Sequence, residues 1–152
     1  MRHGRSPQRG MSVRSRSVSS MHGPRAVAVV RRGHQVLVIK RHYFGRDYAV
    51  LPGGSVEAGE SFEQAVVREL REESTLGAYV MRQLLIGEHN GREARYFEMT
   101  DVTGTPRLSG PELEDHCPDN SFEFFWATKE DLEPLALHPP HLRVDLPRLL
   151  GL

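Results

Sequence analysis

The sequence predicts an α/β fold in which a mixed sheet lies between helices, and three observations carry that expectation. Short β-branched runs recur between turn residues; one strongly marked amphipathic helix sits among them from Ser61; a leucine-rich helix closes the chain. At 152 residues the length suits one domain with a core of its own.

Residues 1–23 (MRHGRSPQRGMSVRSRSVSSMHG) are rich in Arg, Ser and Gly and nearly devoid of apolar side chains. They are expected to be a disordered basic tail, an over-called start with Met11 or Met21 as alternatives, or appended residues. A basic arm that contacts phosphates or a partner is the competing reading. The folded domain is expected over residues 24–152.

Arg25–Val30 and Gln35–Lys40 are apolar on both faces and separated by Arg31-Arg32-Gly33-His34, which reads as a hairpin in a covered sheet. Arg41–Asp47 is polar and reads as a loop, and Tyr48–Leu51 as a strand ended by Pro52. Gly53-Gly54 permit a close backbone approach. Ser61 and Gln64 form a capping box, with Glu63 in the positive first turn. At about 100° per residue, Phe62, Ala65, Val66 and Leu70 make the buried stripe of this helix. Glu69 and Glu73 project onto the edge of that stripe, with Arg68 and Glu72 beside them.

Beyond Gly77, Tyr79–Ile86 and Glu93–Met99 read as strands joined by an Asn90-Gly91 turn. Asp101–Asn120 is a long connection of the kind that is usually functional. Ser121–Ala127 is an aromatic strand, Thr128 with Asp131 caps a short helix ending before Pro134, and Leu142, Leu146, Leu149 and Leu150 mark a C-terminal helix interrupted at Pro147.

Charge is unevenly spread. Residues 1–25 hold six arginines and no acid, which leaves 14 basic and 20 acidic residues, about −6, in the remainder. That acidic body argues against a broad nucleic-acid-binding face and suits a protein that gathers cations. The single Cys117 excludes an internal disulfide and fits a reducing compartment. No apolar run approaches the ~18–20 residues of a membrane span, and no secretory signal is visible, so a cytoplasmic location is expected.

Glu69, Glu72 and Glu73 fall within five residues. Like charges at that spacing repel by up to roughly 4 kcal/mol per pair at ~4 Å and an effective dielectric near 20, so a divalent cation is the natural complement. The spacing goes further. Gly54, five residues, Glu60, seven residues, then Arg68-Glu69-Leu70-Arg71-Glu72-Glu73-Ser74-Thr75-Leu76 resembles the Nudix box, G-x5-E-x7-R-E-U-x-E-E-x-G-U, with U a bulky aliphatic. Every defined position matches except Thr75, which stands in place of glycine at the expected helix exit; there Gly77 is expected to take over the turn.

The resemblance implies a Nudix-type α/β/α sandwich over residues 24–152 and hydrolysis of a nucleoside diphosphate linked to another moiety, with Mg2+ or Mn2+. By the match, Glu69, Glu72 and Glu73 are the metal-binding carboxylates, the Gly54 carbonyl is a further candidate ligand, Glu69 or a metal-bound water assisted by it is the candidate base, and Arg68 pairs with Glu60 to hold the glutamates. The substrate is expected to be a small-molecule nucleotide, either an NDP-sugar or ADP-ribose-like compound or a nucleoside triphosphate; a homodimer is consistent with the family. Outside the box, Glu112, Glu114 and Glu98 are options for one more carboxylate. Arg41, His42 and Arg46 are options for holding phosphates, and Tyr43, Phe44, Tyr96 or Phe125 for stacking on a base. His138 and His141 have the spacing of a metal pair but lack a third ligand. Two other functions stay open: a nucleotide-sensing module with this fold and no turnover, and RNA-end processing aided by the basic tail.

Overall fold

The computed structural model describes residues 23–152, so all but the last residue of the expected basic tail lies outside the described residues. The elements run β1 (Arg25–Val29), β2 (Arg31–Arg32), β3 (Gln35–Tyr43), β4 (Arg46–Val50), β5 (Gly53–Ser55), α1 (Phe62–Ser74), β6 (Gly77–His89), β7 (Arg92–Thr103), α2 (Pro111–Asp115), β8 (Asn120–Ala127), a 3-10 turn (Lys129–Asp131) and α3 (Leu142–Leu150). The strands form two four-stranded sheets between the helices. One, in the order β5-β1-β7-β6, is mixed, because β1 and β7 run parallel. The other is antiparallel, with β2 and β4 on one edge of β3 and β8 along the other. The α/β class stands, with the expected sheet divided in two.

The first expected hairpin is therefore corrected. β1 and β3 lie in different sheets; they pack side chain to side chain, and the backbone hydrogen bond between the two runs is Leu37 N donating to the carbonyl of Val30, just past β1, at 2.8 Å. The hairpin that does form is β2–β3, turned by Gly33 at φ +61°. Apolar residues on both faces had two explanations, and division between two sheets satisfies them as well as direct pairing does. Arg41–Asp47 is likewise not a loop: β3 runs to Tyr43, and the chain turns at Phe44-Gly45 into β4. Polar residues suit this hairpin because it projects past the core.

Alternate residues of β1, with Val30 just after it, serve two cores. Ala26, Ala28 and Val30 pack with Leu37, Phe97 and Met99 against Ala65, Val66 and Leu70 of α1. Val27 and Val29 pack with Val36, Val38 and Tyr96 against Leu142 and Leu146 of α3. Burying a side chain of this size contributes roughly 1.5–3 kcal/mol, so the two helices clamp β1 from opposite sides. α3 runs through Pro147 without interruption and ends at Gly151. Arg31 Nη1 donates to the Leu150 carbonyl at 2.9 Å and Arg82 to that of Leu149 at 3.3 Å, while buried Glu98 binds Arg82 at 2.9 Å. These guanidinium groups satisfy carbonyls at the helix end.

α1 starts as its sequence requires: Ser61 Oγ accepts from Gln64 N at 3.0 Å, and Gln64 Oε1 accepts from Ser61 N at 2.9 Å. It ends at Thr75, which adopts the left-handed conformation itself at φ +67°. Gly77 does not take over the turn; it opens β6, where an added Cβ would lie 2.9 Å from Thr103 Oγ1. Carbonyls of the last turn are met from the loop after β7, through Arg107 N to Ser74 O at 2.9 Å and Ser109 Oγ to Glu72 O at 2.6 Å. A β-branched residue in left-handed backbone costs roughly 1 kcal/mol. Thr75→Gly is thus expected to raise the urea midpoint by the equivalent of up to about 1 kcal/mol, and an unchanged or lower midpoint contradicts the strain.

Candidate active site

Arg68 organises the outer face of α1. Its Nε and Nη2 grip the two oxygens of Glu60 at 2.7 and 2.9 Å, and Nη2 also donates to the Ser55 carbonyl at 3.0 Å. Its Nη1 donates to Glu69 at 3.0 Å and to Glu72 at 2.9 Å. Glu60 is held below the usual carboxylate range chiefly by the Arg68 hydrogen bond. Glu69 is pushed up, because burial outweighs the pull of Arg68 and because Glu72 and Glu112 are near.

Glu73 differs from its neighbours. It is buried and makes one hydrogen bond, accepting from Gly53 N at 3.0 Å. Burial, reinforced by the charge of Glu112, pushes its carboxyl up to about 8. Gly53 and Gly54 earn their place by contact: a Cβ at Gly53 would lie 2.6 Å from the Ala26 carbonyl, and one at Gly54 would overlap the Glu69 carboxylate. The strand β5 and the helix α1 thus meet with glycine backbone against glutamate.

Beside this face lies a cavity of about 360 Å³. Glu73 and Glu112 stand on one wall, Arg41, Arg46, Tyr48 and Phe122 on another, and Arg25, His89 and His138 on a third. Glu112 arrives because the loop ahead of α2 docks on the last turn of α1; Gly110 passes so close that a Cβ there would lie 3.1 Å from the Glu72 carbonyl. Arg41 is held by Ser121 O at 3.2 Å, by Tyr48 Oη at 3.4 Å and by Asn120 Oδ1, with its guanidinium 3.9 Å above the Phe122 ring. The register sets this up, since Arg41 lies between Tyr48 and Phe122 across β4 and β8.

The structure brings Glu73, Glu112, Arg41 and Arg46 to one cavity and leaves Arg68, Glu69 and Glu72 on the helix, with Glu60 just before it, outside its lining. Several expected residues fall elsewhere. His42 faces away and meets Asp47 at 2.7 Å. Glu98 is committed to Arg82, and Glu114 is exposed. Tyr96 is core, Phe125 packs against the core, and Tyr43 and Phe44 are exposed at the hairpin tip. His141 binds Asp145 at 3.1 Å and His138 lines the cavity, so they are no metal pair. The expectation missed Arg25, Tyr48, His89 and Phe122, which carry no motif and are assembled by strand pairing alone. Among the described residues no three His, Cys, Asp or Glu side chains converge on a common point as they stand, because Glu69 and Glu72 turn to Arg68.

Comparison with known proteins agrees with the box and the fold. The 8-oxo-dGDP phosphatase NUDT18 of Danio rerio is 31% identical over 99 residues, 65% of this chain and 29% of that protein. The NAD-capped RNA hydrolase NudC of Haemophilus influenzae is 46% identical over 63 residues, 39% of this chain and 24% of that protein. The match thus spans less than a third of either relative's length. The crystal structure of the MutT NUDIX hydrolase from Burkholderia pseudomallei superposes with a TM-score of 0.64 at 26% identity, covering 80% of this chain and 95% of that one. Residues 21–146 match the family described as NUDIX domain. A glycine-backed glutamate helix, a sandwich of this topology and a match of that extent have one reading: the chain belongs to the NUDIX family of hydrolases.

Proposed function

We propose that this chain is a divalent-metal-dependent hydrolase that cleaves the diphosphate bond of a nucleoside diphosphate linked to another moiety. An NDP-sugar or ADP-ribose-like compound and a nucleoside triphosphate both fit that description. The observation that carries the proposal is Glu73: a buried carboxylate with a single backbone donor, beside a second carboxylate, either stays neutral or faces a cation. The donors fit Mg2+ or Mn2+ in kind, since Glu69, Glu72, Glu73 and the Gly54 carbonyl are hard oxygens, and Glu69 already rests on Gly54. When bound, such an ion supplies charge neutralisation for the diphosphate and acidifies water.

The chain's own groups have distinct tasks in this reading. Water attacks one phosphorus, the bridging P–O bond breaks, and Glu69 takes the water proton; burial has already moved its carboxyl upward, toward the range useful to a base. Arg68, anchored on Glu60 and Ser55, positions Glu69 and Glu72. Arg41 and Arg46 hold phosphate oxygens, and Glu112 completes the acidic wall. The relatives whose names specify a substrate, 8-oxo-dGDP in one and NAD-capped RNA in the other, act on nucleotide derivatives. No described helix is long and apolar enough to cross a membrane.

In a phosphate-release assay over nucleotides and sugar nucleotides, Glu73→Gln is expected to abolish divalent-dependent turnover while the fold survives. Retention of more than a few per cent of activity removes Glu73 from the proposal, and nucleotide binding without any turnover in the wild type makes the chain a sensing module instead. Arg68→Lys loses the guanidinium fork, so it is expected to raise the metal concentration needed for half-maximal rate by roughly tenfold; an unchanged metal dependence rejects the positioning role. Glu73 also sets a pH dependence. Its folded value of about 8 lies above the ordinary 4.5, so between these values the unfolded chain is ionised while the folded one holds the proton. Stability in chelator should therefore fall as pH rises through that window, with a ceiling of about 1.4 kcal/mol per pH unit for one group. Melting at pH 5.5 and 8 should show a smaller fall for Glu73→Gln than for the wild type, and equal slopes contradict the buried-carboxylate account.

A further inference from the structure

Three buried side-chain nitrogen or oxygen atoms lack a hydrogen-bond partner among the described residues: Arg25 Nε, Tyr96 Oη and His141 Nε2. Arg25 heads β1 and pairs with Ala94 of β7, Tyr96 follows on that strand, and the Tyr96 ring meets His141 edge to face at 6.1 Å. Leaving a buried donor without an acceptor costs about 1–3 kcal/mol, and each such group calls for an explanation.

Arg25 is the one that lines the cavity. Two neighbouring arginines are committed to protein acceptors: Arg92 donates to Gly23 O and to Ser55 Oγ, each at 2.6 Å, and Arg41 is held by three partners. The Arg46 side chain also makes no hydrogen bond to a described residue, but it is exposed, whereas Arg25 is partly buried with its Nε enclosed. The Arg25 side chain makes neither a hydrogen bond nor an ion pair with any described residue. His89 and His138 flank it, their rings 5.5 Å apart. Burial, then the Arg25 charge, pushes His89 down to about 4, so at neutral pH it offers an uncharged N–H. Arg25 draws Glu73 down against its burial, yet no ion pair joins them. The cavity therefore holds carboxylates and a guanidinium that do not pair with each other.

We propose that Arg25, with His89 and His138 beside it, is a phosphoryl-anion subsite that orients the substrate by the phosphoryl group lying away from Glu73 and Glu112. This rests on the reading of the cavity as a diphosphate site. A guanidinium whose donors no described residue engages matches the bidentate geometry of a phosphate. A substrate with two phosphoryl groups can offer one to this subsite while the other faces the carboxylates, so the subsite favours the diphosphate class over a phosphomonoester.

The test uses inorganic phosphate and the full chain in EDTA, so it does not depend on turnover. Titration is expected to shift the imidazole signals of His89 and His138 and to leave those of His34 and His116, which are exposed and outside the cavity, in place. Arg25→Gln is expected to weaken phosphate binding at least about tenfold, as loss of a charge-assisted hydrogen bond requires, and Arg25→Lys by less. Equal affinity in wild type and Arg25→Gln, no phosphate binding by the wild type, or shifts confined to His34 and His116 overturns the subsite. Should Arg25→Gln fail to fold, the histidine shifts of the wild type decide by themselves. Full turnover in Glu73→Gln with phosphate binding intact overturns the metal-dependent reading and leaves the subsite standing.

Discussion

Three glutamates within five residues of one helix repel one another, and the guanidinium of Arg68 is what lets Glu69 and Glu72 share a face. Arg68 is itself fixed by a two-pronged grip on Glu60 and a bond to the Ser55 carbonyl. Its pKa is pushed still higher by its carboxylate partners, first by the Glu60 hydrogen bond, so the guanidinium stays charged. Helix α1, the turn before it and strand β5 are thereby tied at one point. Glu73 lies outside this compensation, and its burial against Gly53 is the tension that the rest of the site has to resolve.

Geometry around α1 follows from that arrangement. The close approach of Gly54 to Glu69 and the Gly53 N–H bond to Glu73 set the height of the helix over β5, and the loop after β7 secures its far end through Arg107 and Ser109. The same loop carries Glu112 to Glu73. One segment thus caps a helix and completes a wall, which is why a long, proline- and glycine-bearing connection sits here instead of a short turn.

Legibility in the sequence tracked the range of the interaction. Ser61 and Gln64, Asn90 and Gly91, and Thr128 and Asp131 act within three residues, and each did in the structure what its spacing predicted. The box was readable for the same reason, because a helix converts spacing into position. The division of the strands was not, since nothing local distinguishes a run paired in one sheet from a run paired in another. Arg25, His89 and His138 illustrate the limit: they come from the start, middle and end of the domain and meet only because β1 pairs with β7 and the segment before α3 lies against β4, with His138 N donating to Ala49 O at 2.8 Å. Thr75 was readable as an anomaly, and the left-handed turn it adopts is where a glycine would be expected.

Strand β6 has a consequence for how the protein behaves in a crowded solution. It is the outermost strand of its sheet, 13 residues long, and exposes Tyr79, Met81 and Ile86. A flat edge of that composition is a template for pairing with another chain. Register shifts between Gly77 and Tyr79, between Val80 and Arg82, and between Gln83 and Leu85 break it into short pieces, leaving Leu85–His89 as the longest regular run. Each irregularity bends the strand and tightens its twist, so a second copy meets no long straight row of free donors and acceptors. The edge that carries the apolar side chains is thus also an edge broken against nucleating a fibril.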